Sequence, residues 1–194
     1  MNKMSDKIKK SILESAEIIE KSINLSLLIE ESINEIIHCL KNGHKIIIFG
    51  NGGSASDAQH IAAEFISRFK IERKSFPAIA LTTDTSIITS VGNDYSFEKI
   101  FSRQCESLVA NGDVVIGIST SGNSKNVENG ILTSKNNGAK TIGLLGNDGG
   151  RIGNIVDIAI IVNNKSTDKI QEVHRVIYHI ICEQVERKMA EKET

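Results

Sequence analysis

The sequence predicts a three-layer α/β/α sandwich: a five-stranded parallel sheet covered by helices on both faces, with extra helices at the N-terminus. Three observations carry this. Short apolar runs rich in isoleucine and valine recur along the chain without polar alternation, as strands buried on both faces do. Helical patterns fall between successive runs, which suits parallel strands joined by crossover helices. The 194 residues hold no internal repeat, low-complexity tract or flexible linker, so they fit one domain spanning 1–194 with a substantial core.

Residues 1–43 read as a helical segment, and 44–190 as the α/β core. Ile8, Ile12, Ala16 and Ile19 recur at helical spacing, as do Leu25, Leu28, Ile29, Ile33, Ile36 and Leu40. Ser5-Asp6 and Asn24 suit helix starts, and Gly43 suits a stop. These helices carry more apolar surface than one layer over a sheet uses. They either cover the sheet or pair with the same helices of a second copy. Strands are expected at 45–49, 78–81, 113–118, 141–145 and 157–162. Helices are expected at 55–69, 97–109 and 125–137, with a short helical turn around 86–91. The single proline, Pro77, stands at a strand entrance, where its missing N–H costs little. A long amphipathic helix runs from 167 to about 189, with Ile177, Ile180, Ile181 and Val185 as its buried face.

Composition excludes several functions. The formal net charge of -1 gives no general pull toward nucleic acid or anionic membrane. With no Trp, two Tyr and six Phe, there is little material for stacking bases. No apolar stretch approaches a membrane span. The N-terminal mixture of Lys7, Lys9, Lys10, Glu14, Glu17 and Glu20 lacks the apolar core of a signal peptide. Cys39, Cys105 and Cys182 are odd in number and far apart, which suits small buried hydrophobes in a reducing cytoplasm. The expectation is a soluble cytoplasmic protein with neither nucleic-acid nor membrane partners.

Two loops carry the chemistry. Gly50-Asn51-Gly52-Gly53-Ser54 follows the first strand, and Ser119-Thr120-Ser121-Gly122-Asn123-Ser124 follows the third. Hydroxyls, backbone N–H groups and a helix N-terminus meet at each such junction, which suits a phosphate. The second loop holds more hydroxyls than a turn requires. The first loop matches G-x-G-x-x-A through Gly50, Gly52 and Ala55. A dinucleotide site also needs an acid about 20 residues on, at the end of the second strand. The next acid beyond that strand is Asp84, which is too far. Gly117 and Gly122 have P-loop spacing, but Asn123-Ser124 stands where a nucleotide triphosphatase carries Lys-Ser/Thr. Two neutral cradles on one sheet point to a phosphorylated, hydroxyl-rich ligand.

These loops, together with Gly92-Asn93-Asp94 and Gln171-Glu172-Val173-His174, resemble the bacterial phosphoheptose isomerases of the sugar isomerase (SIS) class. The resemblance runs from about Ile8 to Glu186, and the conjunction with His60-x-x-x-Glu64 and Gln171…His179 makes it specific. It implies the SIS fold and conversion of sedoheptulose 7-phosphate to D-glycero-D-manno-heptose 7-phosphate, an early step toward the heptose of lipopolysaccharide or capsule. It also implies a homotetramer whose active sites lie at subunit interfaces.

Moving a carbonyl from C2 to C1 needs a base for the C1 proton and a proton donor near the oxygens. His60 and Glu64, four apart, share a helix face. Gln171 and His179, eight apart, share the broad side of another. By resemblance, Glu64 is the general base and His179 the general acid, and His60, Glu64, Gln171 and His179 ligate one zinc ion per subunit. Asn51, Gly52, Gly53 and Ser54 would meet the sugar or phosphate, Asn93 and Asp94 its hydroxyls, and Ser119, Thr120, Ser121 and Ser124 the phosphate. Glu64 and Gln171 would also touch the sugar. Arg68 and Asp168 are further candidates, with surface roles as the alternative. His174 reads as structural support, and His38 and His44 as solvated residues flanking the first strand.

The principal rival is a non-catalytic SIS paralogue that binds a replication initiator as a tetrameric adaptor. The intact pair of Glu64 and His179 favours the enzyme, because an adaptor has no use for both.

Overall fold

The computed structural model describes residues 3–191. Helix α1 (Lys3–Lys21) passes through a 3₁₀ turn at Ser22–Leu25 into α2 (Ser26–Lys41). The chain then runs β1 (Ile46–Gly50), α3 (Gly53–Ile66), β2 (Ala78–Ala80), α4 (Thr85–Asp94) and α5 (Ser102–Leu108). It continues through β3 (Val114–Ser119), α6 (Lys125–Asn136), β4 (Lys140–Gly146), α7 (Gly150–Gly153), β5 (Ile158–Val162) and α8 (Thr167–Ala190).

The strands are parallel, in the order β2-β1-β3-β4-β5. Because side chains alternate across a strand, each of the central strands β1, β3 and β4 feeds two cores. Ile46, Ile48, Ile116, Ile118 and Leu144 pack with Ile36 of α2, Phe65 of α3 and Ile177 of α8. Ile47, Phe49, Val115 and Leu145 pack with Cys105 of α5, Ile131 of α6 and Ile152 of α7. Ile46, Ile47 and Ile48 are all fully buried, which is why this strand reads as an unbroken apolar run. Each such side chain contributes about 1.5–3 kcal/mol.

The expected sandwich and all five strands are present. Several helix details differ. The segment expected at 97–109 is a 3₁₀ turn at Phe97–Lys99 followed by the short α5. The turn expected near 86–91 is the ten-residue α4, because Asp84 caps it by accepting from the Ile87 N–H at 3.0 Å. Helix α3 stops at Ile66 rather than 69, since the Phe69, Lys70 and Ile71 N–H groups turn to the Glu186 carboxylate. On α8, Ile177, Ile181 and Val185 are buried, but Ile180 faces outward and is 40 % exposed. It lies on the rim of the groove between α8 and the N-terminal helices.

All three cysteines are buried and unpaired. Gly43 ends the N-terminal helical segment at φ +77, a conformation that favours glycine. Among the described residues, no helix is long and apolar enough to cross a membrane.

Candidate active site

The strand order reverses between β1 and β3, whose crossovers lead to opposite sides of the sheet. Crevices at such switch points, outside the carboxyl ends of the strands, are where open α/β sheets take ligands. Both loops singled out in the sequence leave the sheet here. Asn51 and Asn126 clip them together, exchanging hydrogen bonds of 2.9 and 2.8 Å. Asn51 thus spends its amide on the partner loop's helix.

The first loop turns at Gly52, whose φ of +55 and ψ of −120 suit only glycine. Ser54 is buried against Gly50. Gly53 makes room for a neighbour: a Cβ there would collide with the amide of Gln171 from α8.

The second loop is tied down on every side. Ser119, buried at the end of β3, donates through Oγ to Ser124 Oγ at 3.0 Å. Ser121 Oγ accepts from the Asn123 N–H at 3.1 Å. Thr120 is half-buried, and its carbonyl accepts from Asn147 Nδ2 at 3.1 Å. Gly122 adopts φ +65, and any Cβ there would strike the Gly149 carbonyl. Ser124 precedes α6 without capping it through its side chain; the Val127 N–H is taken by Asn126 Oδ1, which leaves the N–H groups of Lys125 and Asn126 toward an anion. Arg151 adds positive charge, donating to the Asn123 carbonyl at 3.1 Å and to Glu128 at 2.9 Å. Burial works to raise the Glu128 pKa, but hydrogen bonds from Arg151 and Lys125 outweigh it and hold the carboxyl below its ordinary value.

From the first loop, α3 carries His60 and Glu64 to the face of α8. His60 Nε2 lies 2.9 Å from Glu64 Oε1. His179 stands beside them, its ring centroid 5.1 Å from that of His60. Ligand atoms of His60, Glu64 and His179 all lie within 4.8 Å of one another. Two imidazole nitrogens and a carboxylate oxygen suit a zinc ion, so the residues present fit the expected metal. Burial, and then the neighbouring His60, hold His179 below the ordinary histidine value.

Other candidates fall elsewhere. Asn93 donates to Asp94 at 2.8 Å, and both are exposed at the end of α4. Arg68 is exposed and pairs with Glu72 at 3.4 Å, while Asp168 accepts from the Ser166 hydroxyl on the surface. His174 is fully buried and donates to the Leu145 carbonyl at 3.1 Å; burial pushes its pKa down. His38 is exposed and His44 half-buried.

The structure adds residues that the sequence reading missed. Tyr178 Oη lies 3.0 Å from His60 Nδ1 and 3.3 Å from Asp57 Oδ1, and Arg175 donates to both Tyr178 and Asp57. Asp57 could have been found, because it sits one helical turn before His60. Glu186 accepts from three consecutive backbone N–H groups and from Arg73 Nε at 3.0 Å, while Arg73 Nη2 donates to the Glu64 carbonyl at 2.8 Å. This buried pair holds the turn that lays Phe69 against His179, ring centroids 5.6 Å apart.

Comparison with known proteins agrees with this geometry. Residues 4–146 match the family model for the SIS domain. A phosphoheptose isomerase from Geotalea uraniireducens is 56% identical over 154 residues, covering 79% of this chain and 82% of the relative. The one from Aquifex aeolicus is 50% identical over 190 residues, 97% of this chain and 100% of its own length. The solved phosphoheptose isomerase of Neisseria gonorrhoeae superposes with a TM-score of 0.90 at 36% identity, covering 95% of this chain and 99% of that one. With a phosphate-suited loop pair, a His–Glu–His cluster and this degree of identity along its length, the chain belongs to the phosphoheptose isomerase family within the SIS domain class.

Proposed function

We propose that the chain performs the reaction of its family, interconverting sedoheptulose 7-phosphate and D-glycero-D-manno-heptose 7-phosphate in heptose biosynthesis. It is an intramolecular aldose–ketose isomerase. The observation that carries this reading is the convergence of His60 and Glu64, on the helix that leaves the first phosphate-suited loop, with His179 of α8. Relatives at 50% identity and above bear the isomerase name, so the adaptor alternative is not favoured.

Ser119, Thr120, Ser121 and Ser124 take the phosphate, through hydroxyls and the N–H groups opening α6. Asn51, Gly52, Gly53 and Ser54 border the chain of the sugar, with Asn93 and Asp94 toward its hydroxyls. Glu64 removes a proton from C1, and the electron pair left behind forms the C1=C2 bond of an enediol. The former carbonyl oxygen at C2 takes a proton from His179. In the second half, Glu64 returns its proton to C2 and the O1 proton passes to His179, leaving the carbonyl on C1. Atoms and electrons balance without a co-reactant.

His60, Glu64, Gln171 and His179 would hold zinc, and the bound ion supplies Lewis-acid polarisation of the substrate oxygens. A carboxylate that ligates through one oxygen keeps the other for the C1 proton, so Glu64 can serve both roles.

Residues 1–43 serve assembly into a homotetramer, and the enzyme works in the cytoplasm. Met4, Ile8, Ile12 and Leu13 of α1 are exposed, and an apolar groove of about 520 Å³ opens between Ile23, Ile33, Val176 and Ile180. Sedimentation of the purified protein checks the assembly.

Turnover in D₂O tests the chemistry. The proton held by Glu64 exchanges with solvent in competition with its return to C2, so solvent deuterium is expected at C2 in a fraction of the aldose product. Absence of conversion overturns the reading.

A further inference from the structure

We propose that Tyr178 is a positioning residue that, backed by Asp57, fixes His60 with its proton on Nδ1 and its Nε2 lone pair turned toward Glu64 and His179. This rests on His60 being a metal ligand, as proposed above.

Around the Tyr178 hydroxyl the three contacts favour one assignment. Tyr178 Oη has one proton to give and two lone pairs. Three groups surround it: Arg175 Nε at 3.2 Å, Asp57 Oδ1 at 3.3 Å and His60 Nδ1 at 3.0 Å. The guanidinium can only donate, and an ionised carboxylate can only accept. If Tyr178 gave its proton to His60, two oxygens would face each other at 3.3 Å with nothing between them. If it gives the proton to Asp57, its lone pairs accept from Arg175 and from His60 Nδ1–H, and all three contacts of the hydroxyl are satisfied. Asp57 is almost wholly buried and already paired with Arg175 at 3.1 Å, which keeps this acceptor in place.

The consequence falls on the other ring nitrogen. With its proton on Nδ1, a neutral His60 offers a bare Nε2 to Glu64 Oε1 at 2.9 Å. Two lone pairs at that distance repel unless a positive centre lies between them, either a second ring proton or a metal ion. A metal ion bound there takes that place. Outer partners that fix a ligand's tautomer commonly govern metal affinity.

Tyr178→Phe removes only the hydroxyl and keeps the buried ring. In this variant the zinc dissociation constant, read by chelator competition, is expected to rise about 10–100-fold. In zinc-loaded protein labelled with ¹⁵N-histidine, the His60 Nδ1–H resonance is expected to be slowly exchanging in the parent and lost in the variant. A purely structural tyrosine would lower the melting temperature and move neither readout. Asp57→Asn, which keeps shape but weakens the acceptor, is expected to reduce zinc affinity by a smaller factor. It supplies the test if Tyr178→Phe does not fold. Parent affinity in whichever variant folds overturns the inference. A parent protein that binds no zinc refutes the metal reading itself, and this inference with it.

Discussion

Asn51 and Asn126 exchange two hydrogen bonds across the switch point, and the orientation of both amides is fixed. The Val127 N–H donates to Asn126 Oδ1 at 2.9 Å, so that atom must be oxygen. The same oxygen accepts from Asn51 Nδ2, which orients the second amide in turn. One backbone N–H in α6 thereby sets the geometry between the two loops.

Asn126→Ala is expected to release this clip. Leaving the Asn51 amide without its partner costs about 1–3 kcal/mol of stability. The two loops would then hold their spacing less well, so KM for the sugar phosphate should rise more than kcat falls. Thermal unfolding and steady-state kinetics check both parts. An unchanged KM would mean the loops keep their spacing by other contacts.

Replacing Ser119, Ser121 and Ser124 together by Ala tests the phosphate role. The Ser119–Ser124 bond at 3.0 Å is lost together with the hydroxyls proposed to take the phosphate. Each lost hydrogen bond to a charged group costs about 1.5–3 kcal/mol. Substrate affinity should therefore fall by at least about a hundredfold, and competition by inorganic phosphate should disappear. Parent affinity in the triple variant would reduce the loop to a turn.

The Glu186–Arg73 pair gives a pH signature. Burial raises the Glu186 pKa, but the N–H groups of Lys70, Phe69 and Ile71, with Arg73, overcome it and hold the carboxyl below its usual range. A depressed folded pKa contributes stability above the unfolded value of about 4.3, and that contribution is lost as pH falls through the folded value. Glu186→Gln leaves Arg73 buried without its partner, so it should cost about 3–5 kcal/mol at neutral pH. Its melting temperature should also fall less steeply than the parent's on acidification below pH ~4. Parallel pH profiles for the two proteins would contradict this role for Glu186.

The sheet was legible in the sequence because its central strands are buried on both faces, as the unbroken run Ile46-Ile47-Ile48-Phe49 illustrates. The loops were legible because Gly52 and Gly122 stand where φ is positive. His60 and Glu64 could be paired because both lie on one helix. Contacts between elements far apart in the chain left no such mark. Tyr178 meets His60 only where α8 crosses α3, and Glu186 reaches back to Phe69, Lys70 and Ile71 across 117, 116 and 115 residues. Ile180 fits the apolar pattern of α8 yet lies outside the buried arc, since periodicity alone does not say how wide that arc is.

The central claim is that this chain isomerises sedoheptulose 7-phosphate with Glu64 as the base. The most direct measurement incubates the purified protein with that ketose phosphate, supplies zinc, and follows the aldose phosphate, with Glu64→Gln run in parallel. The amide keeps the shape of Glu64 but cannot take the C1 proton. The parent is expected to form D-glycero-D-manno-heptose 7-phosphate, and the folded variant to lose about 10²–10⁴-fold in kcat. No turnover by the parent, or near-parent turnover by Glu64→Gln, would contradict it.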